Sequence, residues 1–282
     1  MVDAGSVRSL SWLVAAATLC VQSICCGQEC TADHAANIRE AIRTGAESIT
    51  LEVGQARFVL VRIPAGQFDL GSPKSDVMAK QNEFPARRIH ITAPFYIGAT
   101  EVSQKQYSEV IGEHLNSFTG DELPVEGLTL AEARDFCDAL SRESGIVVTL
   151  PTEAQWEYAC RAGTSTRYYS GETADDLARV AWFEGNSGDK SHKCGMKAPN
   201  AWGLHDMLGN VWEPCLDGLP PYDKIAKTDP VGQLAPVIGR MRGGCWQDQP
   251  QNCRAAKRMA THDLAAGMGI RIVVNVIDNE PK

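Results

Sequence analysis

Apolar positions along this chain fall into short runs broken by turn-forming residues, and a helical period appears in only a few places. Residues 31–45 read as a short amphipathic helix: Ala35, Ile38 and Ile42 share one face, and Gly45 ends it. This segment is either an appendage packed on the main domain or a spacer. From residue 57 the pattern changes to extended pieces. Phe58 to Ile63 is an apolar run closed by Pro64, and Gln67–Gly71, Arg88–Thr92 and Phe95–Glu101 read as further short strands. Three hydroxyl residues each have Glu or Gln three positions on: Ser103/Gln106, Thr129/Glu132 and Thr152/Gln155. In such a pair each side chain satisfies an orphan amide at the start of a helix. The helix predicted from Thr129 puts Ala133, Phe136, Cys137 and Leu140 on one face and stops at Gly145. The helix from Thr152 turns Trp156, Ala159 and Cys160 inward and stops at Gly163. Residues 163–244 are mostly loop, punctuated by Tyr168, Tyr169, Trp182, Phe183, Trp202 and Trp212, before strand-like Arg240–Trp246 and Gly269–Val276. A connection that long needs a stabiliser or a function.

Composition narrows this picture. With 44% hydrophobic and 22% charged residues the chain is an ordinary globular one, and 25 Gly with 14 Pro fit a loop-rich fold. The formal net charge is -8 with no basic run, so a nucleic-acid partner, which needs clustered Lys and Arg, is not expected. Arg8 precedes an apolar stretch from Leu10 to Cys26 that is short for a membrane span, and small residues follow. Residues 1–27 therefore read as a secretory signal, 28–56 as a helical appendage and 57–277 as the main domain. The expected location is exported, periplasmic or extracellular, with membrane attachment only through an uncleaved signal. Ten cysteines are present. Those after the signal are Cys30, Cys137, Cys160, Cys194, Cys215, Cys245 and Cys253, an odd number that leaves at least one thiol free in an oxidising compartment.

Several stretches in a fixed order carry a family resemblance. They are Ile63-Pro64-Ala65-Gly66-Gln67-Phe68, Pro94-Phe95-Tyr96-Ile97-Gly98 with Glu101-Val102-Ser103, Leu123-Pro124-Val125-Glu126, Leu150 to Gly163, Asn200 to Leu204, Gly209-Asn210-Val211-Trp212-Glu213, Arg242-Gly243-Gly244 and Gly269-Ile270-Arg271. Together they resemble the formylglycine-generating-enzyme (sulfatase-modifying-factor) domain family. The resemblance implies an α+β, C-type-lectin-like fold, loop-rich and low in regular secondary structure. It also implies oxidation of a sulfatase cysteine to formylglycine with oxygen and copper, the soft Cu(I) being held by two cysteines after the Arg-Gly-Gly turn. Here that segment runs Cys245-Trp246-Gln247-Asp248-Gln249-Pro250-Gln251-Asn252-Cys253, so by counting the first copper position is Asp248, a hard oxygen ligand. Cys245, Cys253 and Trp212, the last at the place of a pocket aromatic, are the catalytic candidates.

The resemblance further implies a disulfide between Cys160 and Cys253, worth about 2–4 kcal/mol, and a structural calcium held by the carboxylates of Asp206 and Glu213 and the carbonyls of Gly209 and Val211. Hard oxygen donors of that kind suit calcium. Arg254, Arg258 and Arg271 read as internal clamps of the loops. Two functional readings follow. The first is an exported binding or scaffold module whose catalysis is lost, with a sulfatase-type polypeptide or another exported protein as partner. The second is a copper-dependent oxidase with a non-standard ligand set.

Overall fold

The computed structural model describes residues 32–218, 220–234, 239–260 and 267–279. The expected signal segment and Cys30 lie outside them. Helix α1 (32–44) delivers Ala35, Ile38 and Ile42 into a hydrophobic core, then the chain forms a hairpin of β1 (Ser48–Val53) and β2 (Ala56–Ile63), paired antiparallel from Ser48↔Val61 to Val53↔Ala56. The boundary expected at residue 57 falls inside this hairpin. Residues 48–53 are an edge strand of the main sheet, and α1 is part of the domain because its apolar face has no other place to be buried.

The main sheet has the order β1-β2-β5-β9, with β5 at Phe95–Gly98 and β9 at Val273–Asn275. Side chains alternate across it. Leu60, Tyr96 and Val274 enter one core with α1, α2 (Gln104–Val110) and α3 (Leu130–Ser144). Ile63, Phe95, Ile97 and Val273 enter a second core with α4 (Glu153–Arg161) and the hairpin of β3 (Gly66–Leu70) and β4 (Arg87–Ile91). All four residues of β5 are buried, which explains their uninterrupted apolar character.

The three expected capping boxes form at Ser103, Thr129 and Thr152. A fourth, Thr173 with Asp176, opens α5 (Ala174–Ala178). The sequence rule missed it because it looked for Glu or Gln. Helix α3 stops at Gly145 as expected, whereas α4 stops one residue early, with Ala162 rather than Gly163 as its left-handed cap. The long loop returns through β6 (Glu213–Pro214), which pairs with β7 (Arg240–Arg242), itself paired with β8 (Met259–Ala260). Glu213 thereby lies opposite Arg242.

Candidate functional site

The loops 204–213 and 242–253 meet at the edge of the second core. The amide of Gly209 donates to the carbonyl of Gly243 (2.9 Å), and that of Trp246 donates to the carbonyl of Asn210 (2.9 Å). Residues far apart in sequence are thus brought together as one layer.

Beneath the first loop sits a buried polar centre. Glu101, just past β5, Asp206, Glu213 and Arg271 are each at most 1% exposed. Arg271 donates from Nε to both oxygens of Glu213 (2.9 Å each), and its Nη2 lies 2.7 Å from Glu213 Oε1. Its remaining donors go to the carbonyls of Gly98 and His205. Trp156 Nε1 adds a bond to Glu213 Oε2 (2.5 Å). Glu213 thus faces three N–H donors, Nε and Nη2 of Arg271 and Nε1 of Trp156, spread over its two oxygens. Glu101 accepts from Asn210 Nδ2 (2.7 Å) and from the amide of Val211 (3.2 Å). Asp206 accepts one bond at Oδ2, from the amide of Gly195 (2.5 Å), and its buried Oδ1 has no partner. Burial, then the charges of Asp206 and Glu213, push the Glu101 carboxyl well above the usual range, with Arg271 opposing. Burial also raises Asp206, against the Gly195 amide and Arg271.

These contacts test the expected calcium ligands one by one. Asp206 fits, since a buried carboxylate oxygen without a partner carries a large desolvation cost that a cation removes. Glu213 does not fit, because Arg271 and Trp156 hold both its oxygens. Among the described residues no three His, Cys, Asp or Glu side chains come together closely enough to bind a metal by themselves.

The copper positions fare differently from a metal site. Asp248 Oδ2 accepts from the amide and the thiol of Cys245 (3.0 and 3.1 Å), and its Oδ1 accepts from Asn252 Nδ2 (2.9 Å). Asp248 is the clasp of a tight turn. The Cys253 thiol lies against Gly244, where an added Cβ would stand 2.7 Å from its sulfur, so only glycine suits that position. Burial first, then Asp248, pushes both thiols toward their protonated forms, the reverse of what a Cu(I) thiolate needs. The residues present do not fit copper. Trp212 is packed in the first core, its amide bonded to the carbonyl of Gly267. The expected Cys160–Cys253 disulfide is not formed: both are free, fully buried thiols. Cys160 and Cys253 are both part of the second core.

Arg254, Arg258 and Arg271 are the internal clamps expected of them, bonded to Glu83 with Asp76, to Glu153 and to Glu213. A group the sequence reading did not single out is Glu126. It is wholly buried, accepts from Ser191 Oγ (3.1 Å) and Trp246 Nε1 (3.3 Å), and pairs with no Lys or Arg among the described residues. Burial raises its carboxyl despite those bonds. A buried acid raised in the folded state holds its proton more tightly there than in the unfolded chain. Its stabilising contribution is complete below the usual carboxylate pKa and is lost as pH rises through the folded value. The Glu126→Gln variant is therefore expected to lose less stability than the wild type between pH 5 and pH 8 in urea titrations. Equal losses in the two proteins would show that Glu126 does not carry the dependence.

The fold and these motifs define a scaffold of buried acid–arginine clamps and long loops, and comparison with known proteins places it. The profile of the Sulfatase-modifying factor enzyme 1-like domain matches residues 53–276, and the chain belongs to that family. The chaperone protein LppX of Paenibacillus barcinonensis is 29% identical over 43% of this chain and 61% of its own length. The formylglycine-generating enzyme of Mus musculus is 24% identical over 75% of this chain and 74% of its own. The chain thus spans less than two thirds of LppX. Among solved structures, Treponema denticola variable protein 1 superposes with a TM-score of 0.72 at 24% identity, over 80% of this chain and 98% of that one, which confirms the α+β fold.

Proposed function

We propose that this chain is an exported binding or scaffold module of the sulfatase-modifying-factor family in which the oxidase chemistry has been lost. The observation that carries this reading is the turn at Asp248. The residue at the first copper position is a carboxylate whose oxygens clasp Cys245 and Asn252, and burial with Asp248 pushes the thiols of Cys245 and Cys253 toward their protonated forms. The likeness to a protein named as a chaperone supports a polypeptide partner. The N-terminal apolar stretch after Arg8 supports export. A structural cation of the calcium class in the 204–213 loop belongs to the same reading, motivated by the orphaned Asp206 oxygen.

The test is turnover. The chain, loaded with Cu(I) under reductant, meets a Cys-x-Pro-x-Arg peptide in air, and mass spectrometry follows the peptide cysteine. No formylglycine is expected, with an active family member converting the peptide alongside. Conversion would establish the second reading, a copper oxidase with rebuilt ligands.

A further inference from the structure

Around Glu157 the buried charges do not balance. Its Oε1 accepts from Arg161 Nε (2.9 Å) and its Oε2 from Arg242 Nη2. One fully buried carboxylate therefore stands between two guanidiniums that are themselves at most 4% exposed. The nearby Glu153 brings a cation of its own, since Arg258 binds both its oxygens (2.9 and 2.7 Å). Glu157 and Glu153 are the carboxylates that bear most on Arg242. Asp217 accepts from the amides of Glu153 and Gly232, and burial raises its carboxyl toward the neutral form. Arg161, Arg242 and Arg258 thus face Glu157 and Glu153 with one positive charge in excess, in a place where an uncompensated charge is costly.

The same cluster holds two donors with nothing to donate to. Arg242 Nε is buried and has no partner among the described residues, and so is the Oη of Tyr222, a wholly buried side chain in the loop after β6. Tyr222 belongs to the cluster by its packing. A Cβ on Gly71 would stand 2.8 Å from Tyr222 Cε2, and that same Gly71 donates to Glu157 Oε1 (2.9 Å) and accepts from Arg161 Nη2 (3.0 Å). The Arg258 guanidinium lies over the Tyr222 ring, 4.6 Å from its centroid. After burial itself, Arg242 is the group that acts most on the Tyr222 hydroxyl, ahead of Glu157. A guanidinium N–H only donates, so a bond from Nε to Oη would still leave the phenol proton without an acceptor. A water would accept from both donors, but its own protons need acceptors and the charge would stay unbalanced. An acceptor that carries negative charge answers both needs. We propose that Arg242 Nε and Tyr222 Oη hold a buried monovalent inorganic anion of the halide class, chloride in ordinary salt, which completes the Arg161–Glu157–Arg242 clamp. A halide accepts from any direction and cancels a single excess charge, whereas a phosphate or sulfate has more acceptor oxygens than two donors satisfy.

Urea unfolding of the full chain tests this while sodium gluconate is exchanged for sodium chloride at constant ionic strength, so that screening stays equal. The wild-type midpoint is expected to rise with chloride concentration, because an anion bound to the folded state alone stabilises it by mass action. Tyr222→Phe keeps the ring and removes one donor to the ion. It is expected to need about tenfold more chloride for the same rise, the loss that follows from one hydrogen bond to a charged group. Near-UV circular dichroism checks that the variant is folded. Wild-type crystals grown in bromide locate the ion independently of any variant: an anomalous peak within hydrogen-bond distance of Arg242 Nε and Tyr222 Oη is expected. A chloride response identical in wild type and Tyr222→Phe would overturn the proposal. So would bromide bound at the surface alone, and the two donors would then be left to a water.

Discussion

Replacing Glu157 with alanine is expected to cost the fold about 3–5 kcal/mol, the range for breaking a buried ion pair from one side. Glu157 on α4 is fully buried and holds two guanidiniums. Its Oε1 accepts from Arg161 Nε (2.9 Å) and from the amide of Gly71 (2.9 Å), and its Oε2 accepts from Arg242 Nη2. Arg242 is itself fully buried on β7; its Nη1 donates to the carbonyls of Ala256 and Lys257 and its Nη2 also to that of Ala255, while its buried Nε has no partner. One carboxylate thus ties α4, the β3 exit, β7 and the segment after Cys253. Without it, two buried positive charges lose their counter-ion in a place water does not reach. Urea unfolding of the variant reads the loss directly. Arg88→Ala, which breaks an ion pair about half exposed on both sides, is the control and should change stability by less than about 1 kcal/mol. A Glu157 variant as stable as that control would mean that the cluster is not a clamp.

Gly209→Ala is expected to destabilise the chain by at least about 2 kcal/mol, from left-handed strain and steric overlap together. Gly209 has φ +75°, and a Cβ there would stand 2.2 Å from the carbonyl oxygen of Trp182 and 2.9 and 3.0 Å from its backbone carbon and nitrogen. The obstacle is main chain, so no rotamer change relieves it. The same crossing carries the bond from the Asn210 amide to the Trp182 carbonyl (2.8 Å) and the bond from Gly209 to Gly243. Hydrogen exchange at the Asn210 and Trp246 amides should accelerate in the variant, while amides of α3 keep their protection relative to the lowered global stability. Unchanged exchange at Asn210 and Trp246 would show that the crossing does not hold these two loops.

The parts of this protein legible in its sequence are those set by neighbours a few positions away. The cap at Thr129, the αL stop at Gly145 and the inward face Ala133, Phe136, Cys137 and Leu140 all follow from spacing of three or four residues, and all are present. Local reading slipped only by detail, as at Ala162, or where Asp176 stands in for the longer acid in the Thr173 cap. Strand β1 escapes the sequence reading although Ile49, Leu51 and Val53 alternate with Ser48, Thr50 and Glu52, because that reading assigns the whole segment before residue 57 to a helical appendage. The ordered motifs from Ile63 to Arg271 sufficed for the family, since its loop signatures survive as linear strings.

The site was not legible in the same way. The sequence by itself determined that Asp206, Glu213, Glu101 and Arg271 are present and that Asp248 stands where the resemblance leads one to expect a thiol. Only the tertiary structure decided that Glu213 belongs to Arg271, 58 positions away, and to Trp156, 57 positions away. It also decided that Cys253 packs on Gly244 as a free thiol and that Trp212 is core. The physical reason is that a buried carboxylate takes whichever donors the fold brings within about 3 Å. That choice is made by chain crossings such as Gly209 over Trp182, which no local spacing encodes.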